Sequence, residues 1–174
     1  MLALRVFALV SMLAVAAGDT SARDSAPMPG GSGAALGMTL IAGRLVTCHD
    51  IRGVAVHTMQ VTGLGDVGRA GVVNRVPIIA IDPDIIGKLP DKLALFFFQH
   101  ECAHHVLGHW FQPSTTMEVE ADCWAIKHDR DRGNLSRDEV RSFAPFLARS
   151  GGSPFGHLPG PERAKQLVKC FDAP

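Results

Sequence analysis

Residues 100–104 read HECAH, in which two histidines stand four positions apart and a glutamate follows the first. On a helix, His100 and His104 would lie on one face about one turn apart, so both imidazoles could reach one metal ion. Glu101 would then flank the ion, where it can accept a proton from an activated water molecule. This HExxH pattern predicts a catalytic zinc site. The alternative is a helix whose two histidines and surface glutamate bind no metal.

A catalytic zinc site needs a third protein ligand, and the acidic segment EVEAD at residues 118–122 offers one. Glu118 and Asp122 are four positions apart on a predicted helix and therefore share a face. We predict that Glu118 binds the metal, while Asp122 accepts the second ring N–H of one histidine ligand and fixes its tautomer. Glu120 is the fallback ligand. Without a metal, the segment would be an acidic first turn that favours the helix dipole.

HECAH followed by EVEAD resembles the HExxH and ExxxD motifs of the gluzincin metallopeptidases. The resemblance is closest to the clan of the CAAX-prenyl protease, the HtpX protease and the BepA periplasmic protease, and it covers about residues 76–163. It implies a zincin-like fold, one zinc ion per chain held by His100, His104 and Glu118, and Glu101 as general base. The transmembrane helices of many relatives are missing from the sequence, so the resemblance does not imply membrane substrates.

Members of this clan also carry a histidine followed six positions later by an arginine, usually as HPxxxxR. His157 and Arg163 have this spacing, with Leu158 inserted before the proline. The resemblance places both near the site, where either could stabilise the oxyanion that forms during peptide hydrolysis, since the chain has no tyrosine for that role. The alternative for His157 is an exposed loop residue.

His105 and His109 form a second pair four positions apart. On a continuous helix they would lie about 140° around the axis from the first pair and could not share its metal. We interpret them as part of a polar or partly buried face.

The length and composition predict one ordinary globular domain, and the first residues predict that it is exported. Basic and acidic residues number 17 each, so charge favours neither nucleic acid nor an anionic membrane as a partner.

Residues 1–18 resemble a signal peptide, with an apolar stretch too short for a permanent membrane span; an uncleaved anchor is the alternative. Residues 19–37 are rich in glycine, serine, alanine and proline and predict a flexible leader before a domain at 38–174. The expected location is the periplasm or the extracellular medium.

Export would place the four cysteines in an oxidising compartment, where they can form two disulfide bonds in three possible pairings. We favour Cys102 with Cys123, because both lie beside proposed metal ligands, which leaves Cys48 with Cys170. Four reduced, buried thiols are the alternative if the chain is not exported.

The elements that must position these residues predict an α+β fold, with a short antiparallel sheet packed on the HExxH helix and two or three further helices. Strand-like runs occupy 44–48, 53–61 and 76–81. Helices are predicted at 91 to about 110, 115 to about 128, 136 to about 149 and 161 to about 169. Asp91 is the expected cap of the first helix, and Thr115 with Glu118 and Ser136 with Glu139 resemble capping boxes.

The predicted function is therefore that of an exported zinc-dependent endopeptidase acting on a protein or peptide substrate. One alternative is a weakly active or inactive zinc-binding quality-control module, in which His157 closes the position that water needs. A further alternative is hydrolysis of a non-peptide amide, which the same chemistry allows. The sequence does not indicate an oligomeric state.

Overall fold

The computed structural model describes residues 37–109, 114–152 and 156–174. The predicted signal peptide at 1–18 lies outside them, as does all of the predicted leader except Gly37. The strands are β1 (Met38–Ile41), β2 (Arg44–Thr47), β3 (His57–Gln60), β4 (Gly68–Val73) and β5 (Val76–Ile81), and the helices are α1 (Pro83–Ile86), α2 (Asp91–Leu107), α3 (Thr115–Asp131), α4 (Arg137–Ser142), α5 (Ala144–Leu147) and α6 (Gly160–Asp172). Strands followed by helices confirm the predicted α+β class.

The described strands form two small sheets. β1 and β2 pair as an antiparallel hairpin, and a second sheet has the order β3-β5-β4. Its central strand β5 runs antiparallel to β4 and parallel to β3, so this sheet is mixed where the sequence predicted an antiparallel one. A pattern of apolar residues indicates which face of a strand is buried but not the direction of its neighbour, which depends on how the connection runs.

Helix α2, which carries the HExxH residues, lies at the centre of the fold. Eleven of its 17 residues are buried, and they lie on all sides of the helix. One side packs through Ala94, Leu95 and Phe98 on a cluster that includes β5, and the other packs through Leu93 and Phe96 on α3, α4 and α6. A helix that is covered all round is held rigidly, which suits an element that is predicted to carry metal ligands.

The ends of α2 differ from those predicted. Pro90 occupies the N-cap position, so Asp91 is the first helical residue and not the cap. The helix ends at Leu107 because Gly108 adopts a left-handed conformation with φ of 72°. The N–H groups of Gly108 and His109 then bond to the carbonyls of His105 and His104, which is the Schellman arrangement. Trp110, the predicted helix end, lies outside the described residues.

The capping boxes have opposite outcomes. At α4, Ser136 and Glu139 exchange both bonds, which confirms the prediction. At α3, the cap is Ser114, whose hydroxyl accepts from the N–H of Met117, and the predicted box of Thr115 with Glu118 is wrong. The cap falls one residue earlier than predicted, and the Glu118 side chain is engaged elsewhere. The single helix predicted from 136 to about 149 is split into α4 and α5, with Pro145 in the first turn of α5.

The cysteines form two disulfide bonds, but the favoured pairing is wrong. Cys48 pairs with Cys102 and Cys123 pairs with Cys170. Successive helical residues point about 100° apart, so a cysteine next to a metal ligand does not share the direction of that ligand. Cys102 packs among the residues beneath the sheets, and Cys123 faces α6. No helix in the described residues is long and apolar enough to cross a membrane.

Candidate metal centre

Helix α2 holds His100 and His104 with their rings edge to face. Their Nε2 atoms lie 3.3 Å apart. Two nitrogens bound to one tetrahedral zinc ion at about 2.0–2.1 Å would lie about 3.3 Å from each other. The spacing that HExxH provides on a helix is thus realised as a separation that one metal ion can bridge.

Helix α3 brings the third predicted ligand to the same place. Glu118 is buried, its Oε2 lies 3.1 Å from His100 Nε2, and its Oε1 lies 3.6 Å from His104 Nε2. The helix is capped by Ser114 and packs along α2, and Glu118, its first buried residue, faces the two histidines. The structure therefore brings together the three residues that the sequence predicted as ligands.

His157 joins this cluster from the segment that precedes α6. Its Nε2 lies 2.6 Å from Glu118 Oε2. Gly156 makes the approach possible: its φ is 105°, and a Cβ at this position would lie 2.7 Å from the carbonyl carbon of Ser114. One ligand atom each from His100, Glu118 and His157 lies within 4.8 Å of the other two. His157 is thus a residue of the cluster, as the resemblance implied.

The chemistry of this donor set fits a metal ion. Within the described residues, Glu118 Oε2 is buried and accepts no hydrogen bond, although ring nitrogens of His100 and His157 lie within 3.1 Å of it. Burial alone would raise the pKa of Glu118, but the three neighbouring histidines lower it well below its usual range. A charged carboxylate surrounded by imidazole nitrogens could hold a divalent metal ion.

Behind His100 lies a buried ion pair. Asp122 Oδ1 is 2.8 Å from His100 Nδ1, and Asp122 accepts two hydrogen bonds from the Arg163 guanidinium, at 2.6 and 2.9 Å. The guanidinium lies over the rings of Phe96 and Phe97, with centroid distances of 5.7 and 5.5 Å. Asp122 thus contacts a histidine of the cluster, which is the contact that the sequence predicted.

This ion pair controls the electrostatics of the buried histidine. Burial opposes protonation of His100, but the charge and hydrogen bond of Asp122 outweigh it and raise the pKa of His100 to about 9. Burial likewise opposes ionisation of Asp122, and the Arg163 charge outweighs that effect and lowers the pKa of Asp122 to about 2. Arg163 therefore keeps Asp122 ionised, so that it can accept the N–H of His100.

A cavity of about 240 Å³ opens on the other side of the cluster. Among the described residues, its lining includes Arg69, Ala70, Glu101, His104, Glu118 and His157, but not Arg163. Glu101 Oε2 accepts a hydrogen bond of 2.6 Å from the N–H of Ala70 on β4. The predicted general base is therefore fixed beside the cluster and lines the cavity, whereas the second oxyanion candidate, Arg163, is bound to Asp122.

The second histidine pair, His105 and His109, does not lie on one face. His105 is buried with its Nε2 2.8 Å from the carbonyl oxygen of Ile78, and burial lowers its pKa, in agreement with a partly buried face. His109 is different, since its Nδ1 lies 3.2 Å from His104 Nδ1 and its Nε2 lies 3.2 Å from Glu120 Oε2. The predicted helical angle does not apply to His109, because the chain reverses at Gly108. A glycine after an apolar helical run was the signal for this turn.

Comparison of the chain with protein families, curated proteins and solved structures found no significant match. A function for the chain must therefore be inferred from the geometry of its own residues.

Proposed function

We propose that the chain is an exported zinc-dependent endopeptidase. The observation that carries this proposal is the convergence of His100, His104 and Glu118 from two helices, with Glu101 beside them at the wall of an open cavity. Three protein ligands of this type beside an accessible space are the arrangement of catalytic zinc sites, whereas structural sites are closed by four.

In this proposal, each residue of the cavity wall has a role. His100, His104 and Glu118 would hold zinc, which would supply the Lewis acidity that polarises a substrate carbonyl and acidifies a water molecule. Glu101 accepts the proton of that water and delivers it to the leaving amine. The N–H of Ala70 holds the Glu101 carboxylate in place for this transfer.

His157 is the candidate that stabilises the oxyanion. It lines the cavity, and its Nε2 already lies within contact distance of the ligand Glu118. A ring N–H in this position can donate to the oxygen that becomes negative when the amide is attacked. In this proposal Arg163 acts through Asp122, which accepts its hydrogen bonds, and not on the substrate.

A peptide fits the surroundings of the cavity better than a compact amide. Within the described residues β4 lies at the edge of its sheet, and its residues Arg69 and Ala70 line the cavity. An exposed strand edge can pair with an extended peptide through main-chain hydrogen bonds. A substrate panel that contains both peptides and non-peptide amides would separate the two substrate classes.

One observation favours a second function. His157 belongs to the same group of ligand atoms as His100 and Glu118. If His157 is a fourth ligand, water is excluded and the chain is a weakly active or inactive zinc-binding quality-control module. The two functions differ in the response to His157→Ala: loss of an oxyanion donor lowers turnover about 10²–10³-fold, whereas removal of a blocking ligand raises it.

The test combines metal analysis with cleavage of an unfolded protein substrate. The wild type is expected to bind one zinc ion and to cleave, Glu101→Gln to retain zinc and lose at least about 100-fold in rate, and His104→Ala to lose both. His49→Ala, an exposed histidine outside the site, is the control. Absence of zinc in the wild type, or full cleavage by Glu101→Gln, would overturn the proposal.

The proposed location outside the cytoplasm is supported by the two disulfide bonds, which form and persist in oxidising compartments. Fractionation of cells that produce the full chain tests it. Recovery of the protein with reduced thiols from the cytoplasm would contradict it.

A further inference from the structure

His109 and Glu120 lie behind His104, at the ring nitrogen that does not face the cluster. His104 directs Nε2 towards His100 and Glu118, while its Nδ1 lies 3.2 Å from His109 Nδ1. His109 in turn places Nε2 3.2 Å from Glu120 Oε2, and its side chain is only 8% exposed. Glu120, His109 and His104 thus form a continuous series of polar contacts, which we call the relay.

The chemistry of the three side chains determines which group donates in each hydrogen bond of the relay. An ionised carboxylate only accepts, so His109 must carry its proton on Nε2 and donate it to Glu120. The Nδ1 of a neutral His109 is then an acceptor, and the proton between the two rings must belong to His104 Nδ1. His104 Nε2 is left with its lone pair directed at the cluster, which is the form that binds a metal.

We propose that Glu120 and His109 are positioning residues that fix the tautomer and ring orientation of His104 for metal binding. This inference rests on the zinc site of the proposed function and adds a second support to it. Asp122 performs the corresponding task for His100 directly, at 2.8 Å. Both ligand histidines therefore have a carboxylate behind them, one in contact and one through an intervening imidazole.

The backbone explains why His109 can take this place. The N–H of His109 bonds to the carbonyl of His104 at 2.8 Å, so the residue is tied to the ligand that its ring contacts. Glu120 lies on α3, two positions after the ligand Glu118. The relay therefore joins the end of α2 to the first turns of α3, the two helices that supply the proposed ligands.

Zinc affinity is the first readout, measured against a competing chelator with zinc alone as the probe. His109→Leu is expected to weaken zinc binding about 10–100-fold. His109→Asn, whose Oδ1 can still accept from His104 Nδ1, is expected to recover most of the loss. Glu120→Ala is expected to cost less than about tenfold, because Glu120 is 56% exposed and water can replace it. The controls are His49→Leu and Glu162→Ala, two exposed positions outside the site.

The protonation pattern is the second readout, and it needs no substitution. In the zinc-loaded full chain labelled with ¹⁵N, two-bond ring correlations are expected to show His109 as the Nε2–H tautomer and His104 with its proton on Nδ1. In Glu120→Ala the preference of His109 for Nε2–H is expected to weaken. Since the wild type itself is measured, the test survives even if His109→Leu fails to fold.

The outcomes separate this inference from the function on which it rests. If the wild type binds no zinc, or binds it independently of His100 and Glu118, the metal site itself is refuted. If zinc binds through those residues but His109→Leu matches the wild type, the relay alone is refuted. A His109 ring protonated on Nδ1 in the zinc-loaded protein would also overturn the relay.

Discussion

The two histidines of the proposed metal site receive the same kind of support at different depths in the protein. His100 is 1% exposed, and its Nδ1 faces a carboxylate that is itself bound by a buried arginine. The His104 side chain is 13% exposed, lines the cavity, and contacts Glu120 through His109. The core half of the site, around His100, is built into the core. The cavity half, around His104, forms the wall of the cavity.

The depth determines what each half contributes. Buried charges interact strongly, and removing one of them leaves its partner without compensation in a medium of low polarity. Charges near solvent are screened, and water can replace a lost partner. We therefore expect the His100 half to couple metal binding to the stability of the whole fold. We expect substitutions in the His104 half, where a substrate would enter, to leave the chain folded.

The largest effect is expected from Asp122→Ala. The substitution leaves the Arg163 guanidinium, which lies over the rings of Phe96 and Phe97, without its carboxylate partner and removes the acceptor of the His100 N–H. Breaking a buried pair on one side costs about 3–5 kcal/mol. Urea unfolding of the metal-free protein measures this loss, and the double variant Asp122→Ala, Arg163→Met should lose less than the sum of the single changes. A loss below about 1 kcal/mol for Asp122→Ala would contradict the role given to the core half.

Substitution of His100 and of His104 should destabilise the protein to different extents. In metal-free protein, His100→Ala is expected to cost about 2–4 kcal/mol, because it opens a cavity in the core and leaves Asp122 without one of its partners. His104→Ala is expected to cost less than about 1 kcal/mol, because its ring borders the open cavity. Both variants should lose zinc binding, which calorimetric titration measures. Equal losses of stability would remove the distinction between the two halves.

The distance between contacting residues along the chain separates what the sequence predicted from what it did not. Contacts within one helix follow from fixed spacing, so the pairing of His100 with His104 and the position of Glu101 could be derived from residue numbers alone. Glu118 and Asp122 were found because they repeat that spacing on a second helix. His157 and Arg163 came from the resemblance alone, since nothing in the spacing places a segment fifty residues away beside α2.

The failures have a physical cause as well. The contact of His109 with His104 does not follow from a helical wheel, because Gly108 turns the chain back before His109. The cysteine pairing was wrong because it was inferred from neighbouring metal ligands, whereas side-chain direction changes at every residue along a helix. The parallel pairing of β3 with β5 depends on a connection through β4, and the apolar pattern of a strand does not encode such a path.

The turn at Asp50, which is hydrogen-bonded to the end of α2, offers a smaller test. The Asp50 carboxylate accepts from the N–H groups of Arg52 and Val54, and the next residue, Ile51, donates its N–H to the carbonyl of His105 at the end of α2. Asp50→Ala is expected to cost about 2 kcal/mol, because these N–H groups lose their acceptor. Asp50→Asn keeps an acceptor oxygen and serves as the matched control, with a smaller loss in thermal unfolding.

The pH dependence of the free energy of unfolding tests whether the ionised Asp50 carboxylate stabilises the fold. Burial raises its pKa, but the hydrogen bonds from Arg52 and Val54 outweigh burial and leave the pKa below its ordinary value. The unfolded state therefore binds the proton more readily, so the contribution of Asp50 is complete above a pH of about 4 and is lost as the pH falls through the folded-state pKa. Asp50→Asn should lose less stability than the wild type below pH 4. Identical acid profiles would show that the carboxylate carries no such contribution.

The smallest effect tests whether stability and metal affinity can be separated within the core half. The capping box of Ser136 with Glu139 begins α4, which packs through Val140 into the cluster that holds Leu93 and Phe96 of α2. Ser136→Ala should cost about 1 kcal/mol, and Ser136→Asp, which retains a capping acceptor, should cost little. Zinc affinity should stay unchanged in both, because neither substitution alters the acceptor behind His100. If Ser136→Ala weakened zinc binding tenfold, packing and not the Asp122 contact would set the affinity, and the distinction between the two halves would have to be drawn by rigidity instead of by charge.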